Sequence, residues 1–166
     1  MDILKLSIDW AKDEVFSAKF FILFGLLFIV VTIAFYQLGK TEMARAFITP
    51  TLVTGILLLI VGSGLLYSNQ KRINEFPRQY EIDATAFLAS EIERADRTIQ
   101  EYSNVFKVIP AIVAIAALLI VFVDKPIWRA ACIATIAMMV VIMSVDINAK
   151  ARIEKYREVL LEVSDQ

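Results

Sequence analysis

The sequence predicts an all-α fold: an integral membrane four-helix bundle of two antiparallel hairpins, with helical extensions on the cytoplasmic side. Three observations carry this expectation. Apolar residues make up 58% of the 166-residue chain, against about 45–50% in an ordinary soluble domain. The charges cluster, leaving four long uncharged runs. The links within each pair of runs are short, and short links bring neighbouring helices back on themselves. A chain of this length reads as one membrane domain, 1–166.

The runs differ in length. Lys19 and Lys40 bracket 20 uncharged residues, and Arg45 and Lys71 bracket 25. A spanning helix needs about 20 mostly apolar residues, so both suffice outright. Lys107 and Asp124 bracket 16, as do Arg129 and Asp146. These shorter runs reach the interfaces if the flanking Lys107, Lys125, Arg129 and Lys150 snorkel. The spans are therefore expected at 18–39, 46–68, 108–124 and 129–146. A soluble bundle would need a polar face on each helix, and no run has one.

Lys and Arg set the orientation. The segments outside the two hairpin turns hold 13 of them, whereas the turns hold four: Lys40, Arg45, Lys125 and Arg129. The richer side is expected in the cytoplasm, which puts both termini there in a multi-pass protein of the inner (plasma) membrane. Charged residues precede the first run and no A-x-A site follows it, so the first span reads as a retained signal anchor. Trp128, Phe35, Tyr36 and Tyr67 fall at run ends, as interfacial aromatics do.

Three cytoplasmic helices are expected, at 2–17, 79–107 and 147–163, with Pro77 breaking the central stretch ahead of the second. Leu88, Ile92, Ala95, Ile99, Tyr102 and Phe106 follow one another at steps of three and four. Ala149, Ile153, Tyr156, Leu160 and Val163 repeat the pattern, as do Leu4, Ile8, Ala11 and Val15. Such stripes predict that the extensions pack on one another. Trp10 leaves a second reading for 2–17, a helix lying on the membrane surface. Leu88, Ile92, Ala95, Ile99, Tyr102, Ile153, Tyr156 and Leu160 also form a candidate interaction face for a second copy or a membrane-protein partner.

The chain has no histidine, and its single cysteine, Cys132, lies in an apolar run. That excludes His-based acid–base catalysis, Cys-His and Ser-His-Asp triads, His-ligated metals, intrachain disulfides and C-x-x-C redox pairs. No catalytic residue, cofactor or metal is expected. A net charge of -1 gives no sign of nucleic-acid binding. No Asp, Glu, Lys or Arg sits in the middle of a span, which argues against proton-coupled transport. Thr49, Thr51 and Thr54 form a candidate polar membrane patch, although such hydroxyls usually satisfy themselves on their own helix. Small residues mark close helix contacts at Thr51, Gly55, Gly62 and Gly64, at Ala111, Ala114 and Ala117, and at Ala130, Ala134 and Ala137.

The two halves share a plan. The outer turns read Lys40 to Arg45-Ala46 and Lys125 to Arg129-Ala130, and the return helices hold Arg72-Ile73 and Arg152-Ile153, each followed by an aromatic. This suggests a parallel repeat of two-helix hairpins. Glu93-Arg94-Ala95-Asp96-Arg97 resembles the Glu-Arg-x-x-Arg run of the membrane-associated eicosanoid and glutathione metabolism enzymes. It lies here between spans two and three rather than one and two, and salt-bridged charges on a solvated helix face account for it better. In plan, the chain resembles the small four-span inner-membrane proteins of bacteria, a likeness that carries no function. The functional expectation is a non-enzymatic assembly or accessory module. The alternatives are an oligomeric pore built on the threonine patch and a lipid-modifying enzyme using Asp124, Asp146, Tyr36 or Tyr67.

Overall fold

The computed structural model describes residues 3–164, in five helices: α1 (Ile3–Leu38), α2 (Glu42–Ala46), α3 (Ile48–Ile82), α4 (Ala84–Phe122) and α5 (Pro126–Ser164). There is no strand among the described residues. Four helical stretches are long and apolar enough to cross a membrane, α2 and α3 together forming one of them. The longest, α4 and α5, have 39 residues each. At 1.5 Å per residue that is roughly 58 Å, nearly twice the hydrocarbon thickness of about 30 Å. Each long helix therefore has an apolar half of membrane length and a surplus that carries most of the charge.

The surplus ends gather at one end of the molecule, the head. There α1 and α4 begin and α3 and α5 finish. Its core joins Trp10 and Ala11 of α1, Phe76 of α3, Phe87 and Ala95 of α4, and Ile153, Tyr156 and Leu160 of α5. Aromatic edges bridge α3 and α4, with Phe76 and Tyr80 both against Phe87 at centroid distances of 5.4 and 5.7 Å. The start of the chain belongs to this core. α1 runs unbroken into its span, and Trp10 is only 7% exposed, so the alternative of a surface-lying helix does not apply. Asp2, the first residue of the expected 2–17 helix, lies outside the described residues.

The break in the central stretch is not at Pro77. That proline lies inside α3, which continues to Ile82, and the chain turns at Asp83. Pro77 removes one donor, but the helix goes on for five residues beyond it, with Phe76 held in the head core. Asp83 supplies what a new start needs. Its backbone is extended, and its carboxylate accepts hydrogen bonds from the Thr85 and Ala86 amides at 2.9 Å. The helix expected at 79–107 thus starts at Ala84 rather than at residue 79.

In the apolar half, α1 and α3 meet through glycines. A Cβ on Gly25 would lie 3.0 Å from the Gly55 carbonyl oxygen, and one on Gly55 would lie 3.0 Å from the Gly25 carbonyl oxygen. A Cβ on Gly62 would lie 2.9 Å from the Phe21 Cβ and 3.0 Å from the Ile22 amide nitrogen. Only hydrogen at these positions lets the backbones come so close. Further toward the turns, the Thr32 and Thr51 hydroxyls share a hydrogen bond at 2.9 Å, and the one that does not donate in it can donate to the carbonyl four residues back, Phe28 or Phe47. Phe21, Leu58 and Val141 form a second small core where α5 joins this pair.

Gly64 and the α4 alanine stripe make no close contact within the chain. Nothing lies within 4 Å of a Cβ on Gly64. Ala111, Ala114 and Ala117 are exposed, and α4 instead buries Ile109 and Ala116 in this half. Only α5 keeps an inward alanine stripe, with Ala130 and Ala134 buried. The two outer turns are closed alike. Arg45 Nε donates to the Gly39 carbonyl at 3.2 Å, and Arg129 Nε donates to the Val123 carbonyl at 2.9 Å; both bonds span six residues.

Candidate functional site

Across the head, α1, α4 and α5 are tied by one buried polar network. Glu91 is 4% exposed. Arg94 grips it with both arms, Nε on Oε1 at 2.9 Å and Nη2 on Oε2 at 2.6 Å. The Tyr156 hydroxyl donates to Glu91 Oε2 at 2.8 Å and lies 2.7 Å from Ser7 Oγ. Trp10 stacks on Tyr156 at 5.3 Å, and the Arg94 guanidinium sits 4.1 Å from the Trp10 ring centre. Burial works against the Arg94 charge, but hydrogen bonding and attraction from Glu91 outweigh it and hold the pKa above its ordinary value. Burial, followed by the Glu91 charge, pushes the Tyr156 phenol up, so it remains a donor at neutral pH. A second tie joins α5 to α1, with Arg152 Nη2 on Glu14 Oε1 at 2.9 Å and on Ser17 Oγ at 2.7 Å. Arg157 pairs with Asp96 at the surface.

Immediately toward the membrane half lies a cleft of about 400 Å³, walled by all four long helices. One part is apolar: Phe21 of α1, Val61 and Leu65 of α3, Val105 of α4 and Ile142 of α5. The other is charged and polar, with Glu14, Asn69, Arg72, Arg94, Glu101, Tyr102 and Asp146 around the Trp10 ring. Arg72 stands apart from the other arginines. Asn69, 3% exposed and anchored on the Leu65 carbonyl, accepts from Arg72 Nη1 at 2.7 Å. No carboxylate among the described residues makes an ion pair with Arg72. Burial, then repulsion from Arg94, lowers its pKa from the ordinary arginine value. Burial raises Glu14, and the neighbouring Arg152 opposes that shift. Burial also raises the Tyr102 phenol.

Within the chain, the candidate interaction face packs into the head core. Ala95, Ile153, Tyr156 and Leu160 are between 0% and 3% exposed, and Leu88, Ile92, Ile99 and Tyr102 pack against the same core. Tyr102 and Ile153 also reach the cleft. The polar membrane patch divides. Thr51 and Thr54 are buried, while Thr49 is exposed. Thr51 is committed to Thr32 and to the Phe47 carbonyl. Thr49 and Thr54 line a largely apolar cavity of about 390 Å³ near the outer turns, between α3 and α5, with Trp128 and Thr135.

The Glu-Arg-x-x-Arg run separates in the same way. Glu93 and Arg97 form an exposed pair, Asp96 reaches Arg157, and Arg94 turns inward to Glu91. Reading the sequence did not find the cleft. Its residues were visible as topology charges (Arg72, Arg94), as a span-end charge (Asp146), as stripe residues (Tyr102, Ile153) and as a surface aromatic (Trp10). The one available signal was Asn69-x-x-Arg72, an amide one turn before an arginine where an apolar run ends.

No family model, no curated protein and no solved structure matches this chain.

Proposed function

We propose that this chain is a non-enzymatic accessory module of the inner membrane that works by binding in the cleft beneath its head. In this reading it is a pair of antiparallel hairpins, inserted with both termini and the head in the cytoplasm. The observation that carries it is Arg72: a half-buried guanidinium, oriented by a buried asparagine, facing a cavity and lacking an acidic partner. Glu91 and Glu14 attract this charge without forming an ion pair with it, and a ligand anion would supply the direct contact that a charge held partly away from water needs. Dispersal of the groups available for catalysis supports binding rather than turnover. Tyr36 and Asp124 lie near the outer turns, whereas Asp146 lines the cleft and Tyr67 is exposed on α3. These groups do not converge on one reacting centre.

The test is a cleft-filling substitution. Thr98 lines the cleft, and its own hydroxyl bonds only to the Arg94 carbonyl one turn back. Thr98→Trp should leave the helical content and membrane insertion intact. It should abolish the thermal stabilisation that lipid extract of the native membrane gives the purified protein. Equal stabilisation of wild type and variant would remove the cleft from consideration.

A second reading concerns self-association. With the head stripes buried, the exposed Ala111, Ala114 and Ala117 stripe on α4 is the small-residue face left to meet a second copy. In a Cys132→Ala background, Ala114→Cys should form a disulfide-linked dimer in native membranes on mild oxidation. Monomer alone would set this reading aside.

A further inference from the structure

The charge balance of the cleft restricts what it can hold. Arg94 is saturated by Glu91, and Arg152 by Glu14 and Ser17. Arg72 is the one cleft-lining arginine without an ion pair among the described residues. On the α4 and α5 walls, the exposed Glu101 and the half-buried Asp146 have neither a hydrogen bond nor an ion pair to a described residue. A purely anionic ligand would satisfy Arg72 but bring its charge toward two free carboxylates. A purely cationic one would reverse the fault. Only a head carrying both signs meets both sets, because like charges brought together in a partly desolvated site oppose binding.

Two residues of the same wall, Trp10 and Tyr102, carry donors that no described residue satisfies. Trp10 Nε1 is buried with no hydrogen-bond partner, an uncommon condition in a folded protein. The Tyr102 hydroxyl, kept protonated by burial, has no partner among the described residues. Beside these groups the wall becomes apolar at Phe21, Leu65 and Ile142. The cleft lies where the uncharged runs end, at Asn69 on α3 and Asp146 on α5.

We propose that the cleft binds a zwitterionic amphiphile, an amine-bearing phospholipid, with its phosphate on Arg72, its ammonium toward Asp146 and Glu101, and its chain along Phe21, Leu65 and Ile142. This rests on the binding reading above and adds the ligand class to it.

The test uses the full chain in neutral detergent, followed by native mass spectrometry. Phosphatidylethanolamine, phosphatidylglycerol with the same acyl chains, and water-soluble phosphoethanolamine are added separately at equal concentration. Phosphatidylethanolamine should be retained about tenfold more tightly than phosphatidylglycerol, the scale of one charge-assisted contact. Asp146→Asn should erase that preference. Arg72→Gln should weaken both lipids by about tenfold, and circular dichroism reports whether each variant is folded. Equal retention of the two lipids by wild type overturns the zwitterion and leaves the cleft as a binding site. Phosphoethanolamine held as tightly as the lipid overturns the amphiphile, since the apolar wall then contributes nothing. Retention of every lipid unchanged in Thr98→Trp overturns the cleft itself, and the proposed function with it.

Discussion

Replacing Glu91 by Ala should loosen the head more than any other single truncation in it. The carboxylate accepts three charge-assisted bonds, two from Arg94 and one from Tyr156. Removing it leaves a guanidinium whose side chain is 15% exposed without its counter-charge. Breaking a buried pair from one side costs about 3–5 kcal/mol. The residual exposure of Arg94 and its contact with the Trp10 face offset part of this, so about 3 kcal/mol is expected. Thermal unfolding of the purified protein, followed by circular dichroism in one fixed detergent, measures the change. The decisive comparison is a double-mutant cycle with Arg94→Met. Removing the stranded charge should recover much of the loss, so the double variant should be more stable than Glu91→Ala alone. If Glu91→Ala lies within about 0.5 kcal/mol of wild type, or if the two changes simply add, the network does not hold the head together.

Three other outcomes follow from the geometry. Gly62→Val should separate α1 from α3, because the new side chain meets Ile22 backbone. A loss of about 1–3 kcal/mol is expected, whereas Gly64→Ala, facing open space, should be neutral or gain up to about 1 kcal/mol; resistance to dodecyl sulfate ranks the two. Glu14 titrates above its unfolded value, so the folded state holds that proton more firmly than the unfolded state. Its contribution to stability therefore falls as pH rises from the ordinary glutamate range through the folded pKa. Melting curves of wild type minus Glu14→Gln should slope downward with pH across that window, and an upward slope would contradict the burial argument. In a Cys132→Ala background, Thr41→Cys and Lys125→Cys should react with a membrane-impermeant thiol reagent added to intact cells, and Asp9→Cys should not. The opposite pattern would reverse the orientation read from Lys and Arg.

Local patterns revealed the helices, and distant packing hid the site. The uncharged run between Lys19 and Lys40 announces a span because the bilayer acts on each stretch of chain independently. The head stripes were legible for a similar reason, since a stripe at helical spacing must be buried against something. What it meets is a matter of tertiary structure, and Ile153 or Leu160 looks the same whether its neighbour is this chain or another. Pro77 misled because proline's effect on a helix depends on its surroundings, whereas Asp83 acts through its own carboxylate on the next two amides. Gly55, Gly62 and Gly64 are indistinguishable in sequence, and only helix rotation decides which ones face α1. The cleft was the least visible feature. Arg72, Glu101 and Asp146 lie on three helices, the first and last near span ends and Glu101 on the polar side of an amphipathic helix, where charge is expected whatever it faces.

The chain has two tryptophans, and the fold sends them to opposite ends. Trp10 contacts both the Arg94 guanidinium and the Tyr156 ring, at the wall of the cleft and 7% exposed. Trp128 stands 60% exposed beside the second outer turn. The protein thus contains its own optical gauge. A molecule entering the cleft would alter the electric field at the Trp10 indole, far from Trp128. With Trp128→Phe, the emission of a single buried indole would report occupancy of the cleft in the purified, reconstituted protein without any added label.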